Sequence, residues 1–125
     1  MEHAFVLFRG AAVERLWGPP GPERTRSVIF MVLTVLALVT AVADIATAYP
    51  NILRWGIAGE GNPFAQLILQ RFGFTGLAAV KLGGIAWSAL VAWLLYRVGH
   101  HRRTWILLGF AIAVNLFGTF TNITA

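Results

Sequence analysis

Two ionisable residues stand alone in otherwise uncharged stretches, Asp44 within Ser27 to Tyr49 and Lys81 within Phe72 to Tyr96. An acid and a base isolated in this way can neutralise one another as an ion pair, hold an ion or proton, or recognise a polar group brought by a ligand. Side chains able to hydrogen-bond accompany them. Thr40, Asp44 and Thr47 follow i, i+4, i+7 spacing, Asn115, Thr119 and Asn122 repeat it, and Lys81, Gly84 and Ser88 share a helical face. Glu60-x-Asn62-Pro63 adds a carboxylate and an amide in a glycine-rich connection. The candidate polar or ion-binding cluster is therefore Asp44, Thr47, Glu60, Asn62, Lys81 and Asn115.

The elements that must position these groups follow from composition. Hydrophobic residues make up 58% of the 125 and charged residues 12%, with 13 glycines besides, whereas soluble domains carry about 25% charged residues. So small a globule has too much surface per volume to hide that apolar excess from water. The uncharged stretches each approach the 20 or so residues that cross a bilayer. The chain reads as an all-α integral membrane protein with three transmembrane helices, at about 27–49, 72–96 and 104–123. Residues 1–25 form a separate cytoplasmic, amphipathic segment and residues 26–125 the three-helix domain.

Charge sets the expected orientation. Four arginines precede the first span and three lie in the 97–103 connection, against two, Arg54 and Arg71, in the 50–71 connection and none after the third span. Basic connections stay on the cytoplasmic side, which places the N-terminus in and the C-terminus out. Trp17, Trp93, Tyr96 and Trp105 then fall at the inner boundary and Tyr49 and Trp55 at the outer one, where amphipathic rings are favoured. Ala46-Thr47-Ala48 has the form of a signal-peptidase site, but the apolar run before it exceeds the 7–15 or so residues of a signal peptide, so the first span is expected to be retained.

Asp44 then lies about 7–8 Å below the outer end of its span and Lys81 about 13 Å below the outer end of its own. Both are in the outer half, where the lysine stem can reach a carboxylate, and an Asp44–Lys81 pair is expected. Pro50 is expected to end the first span. Asn62-Pro63 suits an N-cap and first helical position, opening a short outer-surface helix at about 63–70. Phe5, Phe8, Ala12 and Leu16 form an apolar stripe that suits a short N-terminal helix lying on the inner leaflet, the alternatives being a helix packed on a partner subunit or a loosely ordered end. Gly18-Pro19-Pro20-Gly21-Pro22 breaks it. Gly73, Gly76, Ala79, Gly83 and Gly84 in the second span, and Gly109, Ala113 and Gly118 in the third, allow close helix approach. On that count the second span should be central.

Other chemistries find little support. With no cysteine there is no disulfide, thiolate metal site or cysteine nucleophile. The run Arg97, His100, His101, Arg102 and Arg103 reads as a contact for anionic headgroups on the cytoplasmic side, not as a metal site. No histidine lies level with Asp44 to complete a hydrolytic set, and the net charge of +5 belongs to the connections, which argues against nucleic acid as the partner. No catalytic residue and no cofactor are expected.

Asp44-x-x-Thr47, Glu60-x-Asn62-Pro63, Lys81 and Asn115, in that order and placement, resemble a family of small polytopic membrane proteins of bacteria and archaea of unknown function. The resemblance covers about Val39 to Asn115 and implies a compact three-helix domain whose polar positions matter as a group, with no activity attached. Two functional readings stay open. One is a non-catalytic accessory or structural subunit of a prokaryotic inner (plasma) membrane, packing as a homo-oligomer or in a larger complex, with the polar cluster fixing the bundle. The other is an ion- or proton-linked transport or ion-binding module, as an oligomer, that uses Asp44, Glu60 and Lys81.

Overall fold

A computed structural model of the protein describes residues 22–125. The amphipathic segment expected at 1–17, and most of the proline-rich elbow after it, lie outside the described residues. The chain forms helix α1 (Pro22–Trp55), a single 3-10 turn (Gly56–Gly59), helix α2 (Pro63–Arg97) and helix α3 (His101–Thr124). All three α-helices are long and apolar enough to cross a membrane. Large apolar side chains such as Met31, Val35, Val39, Phe72, Trp87, Phe110 and Phe117 are exposed along them, as helices facing lipid require.

The helices run up, down and up. Phe30 stacks on Tyr96, Asp44 meets Lys81 and Tyr49 packs on Phe74, so α1 and α2 are antiparallel. Asn115 reaches the Ala37 carbonyl and Asn122 the Asp44 carbonyl, each 78 positions along the chain, so α1 and α3 are parallel in fixed register.

Small residues permit that register. The buried face of α1 is Ala37, Thr40, Ala41, Asp44 and Ala48, a stripe at three- and four-residue steps on one side of a helix. Helix α3 packs on this stripe more extensively than any other pair of elements packs. The second span is therefore not central, contrary to the expectation from its glycines. A Cβ added at Gly83 or Gly84 would meet nothing within 4 Å. Glycine permits close approach without compelling it, and here the approach is made by the alanines of α1 and by Gly118 of α3.

Helix α1 continues through Pro50 to Trp55 instead of stopping there. A proline supplies no amide to the Ala46 carbonyl, yet tertiary contacts on the last turn hold the helix. Ile52 packs on the cluster of Ala65, Ile68, Leu69 and Leu77, and the Asn51 amide donates to the Asn122 carbonyl at 2.7 Å. The short helix expected at about 63–70 is the opening segment of α2 and not a separate element. The break falls at Gly73, whose φ of 68° and ψ of −170° lie in a region open essentially to glycine alone. The bend lets Ala65, Ile68 and Leu69 fold over Leu77.

At the other end α2 stops on a tight reversal. The Gly99 amide donates to the Tyr96 carbonyl and the His100 amide to the Leu95 carbonyl, with Gly99 at φ +86°, which is a Schellman cap. Three residues suffice to reverse the chain into α3.

Candidate functional site

The i, i+4, i+7 stripes of α1 and α3 meet at Asp44. Its carboxylate is matched on both oxygens: Lys81 Nζ donates to Oδ2 at 2.8 Å and Asn122 Nδ2 to Oδ1 at 3.1 Å. One acid thus ties α1 to both other helices. The same Asn122 amide lies 3.1 Å from the Asp44 carbonyl and 3.2 Å from Thr47 Oγ1, sharing its two hydrogens among three acceptors. The Thr47 hydroxyl donates back to Ala43 and Asp44 carbonyls within α1. Asp44 is 7% exposed, while the Lys81 side chain is 25% exposed. The pair is therefore closed on the acid side and partly open on the base side.

Third-helix backbone comes unusually close. A Cβ built on Gly118 would collide with Asp44 Oδ1 and lie 2.8 Å from Cγ, so the carboxylate occupies the space any larger residue would need. Asn115, two turns before Asn122, reaches the Ala37 carbonyl at 3.4 Å and makes no hydrogen bond to Asp44. It is a second, weaker tie between the same two helices.

Glu60 and Asn62 are brought to the same end of the bundle but make their bonds locally. The Asn62 side chain accepts from the Phe64 amide at 3.0 Å with Pro63 at the first helical position, which is the cap that Asn-Pro is suited to. Glu60 Oε1 accepts from the Asn62 amide at 3.1 Å, and the Gln66 side chain donates to the Glu60 carbonyl. Neither side chain bonds to Asp44 or Lys81. Both nevertheless line, with those two residues and Asn115, a groove of about 930 Å³ between α2 and α3. The 58–62 connection roofs this groove, and its walls carry Val80, Ile85, Phe110 and Val114.

Three participants were not among the candidate residues. Asn122 was visible in the α3 stripe but had no assigned partner, and Gly118 was visible only as a small residue. Asn51, placed in the connection because Pro50 precedes it, is on helix and bonds to α3. The signal that could have found them is register: if Asp44 faces Asn122, then Gly118 one turn earlier faces Asp44 as well.

The basic residues at the opposite end surround a small aromatic cluster. His101 packs edge-on to Tyr96 and stacks with Trp105, with ring centroids at 5.1 and 6.3 Å, and Arg97 lies 5.3 Å over the Trp93 ring, a cation–π distance. Arg97, His100, Arg102 and Arg103 are exposed there. Among the described residues no group of three His, Asp or Glu side chains is placed to hold a metal ion. Comparison of the chain with protein-family models, with curated proteins and with solved structures returns no match.

Proposed function

We propose that this chain is a non-catalytic multi-pass membrane protein, an accessory or structural subunit that packs against a larger membrane assembly or against itself. The observation that carries the reading is that Asp44 accepts a bond on each carboxylate oxygen, one from each of the other two helices. An acid whose two oxygens accept from two other helices, beneath a close backbone contact, is held as a tie between elements. Its work is to fix helix register, a role polar groups perform in membranes because an unmatched one in hydrocarbon costs several kcal/mol, order of magnitude. In this reading the protein lies in a prokaryotic inner membrane with its N-terminus inside, and the arginines of the 97–103 connection contact anionic headgroups.

Affinity purification from native membranes, followed by quantitative mass spectrometry, tests it. A stoichiometric membrane partner, or a defined homo-oligomer without flux activity, is the expected result. One observation favours a second reading: the Lys81 side of the pair opens to a groove that Glu60 also lines, as an ion- or proton-binding module would require. A pure homo-oligomer whose proton or ion flux in liposomes disappears in Asp44→Asn would establish that reading and overturn the first.

A further inference from the structure

The α2–α3 groove combines features that a purely structural role leaves unused. It follows α3 from Leu107 to Ala125, about 27 Å at 1.5 Å per residue, close to the thickness of a hydrocarbon core. Its walls are apolar, with Ile85, Phe110 and Val114 among them, and its floor at Gly84 is open, since a Cβ there meets nothing within 4 Å. The charges gather toward the roofed end. An ammonium has three donors, and Lys81 gives one of them to Asp44; the other two have no acceptor among the described residues. Lys81 sits eight residues past the Gly73 bend, about 12 Å along the axis, and side chains on a helix lean toward its N-terminus. The lysine stem therefore leans toward the 58–62 roof. There Glu60 uses Oε1 on the Asn62 amide, and its second oxygen has no partner among the described residues.

One cation with spare donors, one anion with a spare oxygen and a long apolar wall fit an amphiphile better than a helix. A transmembrane helix offers apolar side chains at the level of Lys81 and leaves those donors unmatched. A head bearing only negative charge would satisfy Lys81 and be repelled by Glu60. A zwitterionic head with a primary ammonium satisfies both, and the matched Asp44 stays out of the balance. We propose that this groove binds one aminophospholipid, with its phosphate on the Lys81 ammonium, its ammonium on Glu60 and an acyl chain along Ile85, Phe110 and Val114.

The test uses the full chain purified in detergent and titrated with phosphatidylethanolamine, phosphatidylcholine or phosphatidylglycerol of one acyl composition, with bound lipid counted by native mass spectrometry. Phosphatidylethanolamine is expected to bind one to one and about tenfold more tightly than the other two, the size of one lost charge-assisted hydrogen bond. Glu60→Gln should erase that preference. Gly84→Leu, which fills open space, should weaken binding by at least about tenfold while leaving helicity and melting temperature unchanged. Equal binding of the three lipids, or undiminished phosphatidylethanolamine binding by folded Gly84→Leu, overturns the proposal.

Discussion

Gly118 lies directly against the carboxylate of Asp44, so close that a single methyl group on the glycine would collide with Oδ1. The acid can bond to Lys81 and Asn122 at once because α3 presents no side chain at that point. Close approach of two backbones and matching of the charge are one arrangement, and a change to either member disturbs both.

Gly118→Ala should therefore be costly although it is conservative in size. Overpacking of a tight site costs about 1–3 kcal/mol, and here the displaced group is a buried carboxylate. The melting temperature in detergent is expected to fall clearly, whereas Gly109→Ala, where an added Cβ meets nothing within 4 Å, should leave it unchanged or raised. Equal behaviour of the two variants would remove the close contact from the account of the fold.

The Asp44–Lys81 pair predicts non-additive energetics. Lys81→Met leaves Asp44 buried without its cation, a change that costs about 3–5 kcal/mol for a buried pair. Asp44→Asn in the same chain removes the stranded charge and keeps an oxygen for Asn122, so the double variant should regain most of that loss. A double-mutant cycle read by thermal unfolding in detergent measures the coupling. If the double variant is as unstable as the two single losses added together, the pair does not hold the bundle.

Much of this was legible in the sequence, and the residues show where legibility ends. Three spans followed from charge-free length, which depends on composition alone. The Asp44–Lys81 contact followed from depth, because two ionisable groups at similar levels in hydrocarbon have few other ways to be matched. The remainder depends on helix rotation and register, which no local pattern encodes. Gly83 and Gly84 invite close packing just as Gly118 does, yet only Gly118 receives a neighbour. Pro50 carries a strong local stop signal, and contacts of Asn51 and Ile52 with distant residues override it. Asn62 and Glu60, grouped with the buried pair by topology, spend their bonds on capping α2 and shaping its connection.

Asn122 and Asn115 should differ in weight although they occupy equivalent turns of one stripe. Asn122 donates to Asp44 through both side chain and backbone acceptors and to Thr47, so Asn122→Ala leaves buried acceptors unmatched, at a cost of about 1–3 kcal/mol. Asn115 makes one contact at 3.4 Å, at the long limit for a hydrogen bond. Its alanine variant should cost about 1 kcal/mol or less, and unfolding measured on both variants in one detergent tests the order.

Two of the four glycines of α2, Gly83 and Gly73, offer the sharpest contrast, because they lie on one helix and differ in backbone conformation. Gly83 is helical with open space around it, so Gly83→Ala replaces a poor helix former by the best one and should stabilise by up to about 1 kcal/mol. Gly73 adopts φ +68° and ψ −170°, where a Cβ is strained by about 1–3 kcal/mol, and no neighbour within 4 Å is involved. Gly73→Ala must either bear that strain or straighten α2. Straightening would carry Ala65, Ile68 and Leu69 away from Leu77 and Ile52, removing that small core. Gly73→Ala is therefore expected to lower the melting temperature and to raise amide hydrogen exchange across 63–72, with little change in α3. A variant as stable and as protected there as the parent chain would mean that the bend is not required to build that end of the molecule.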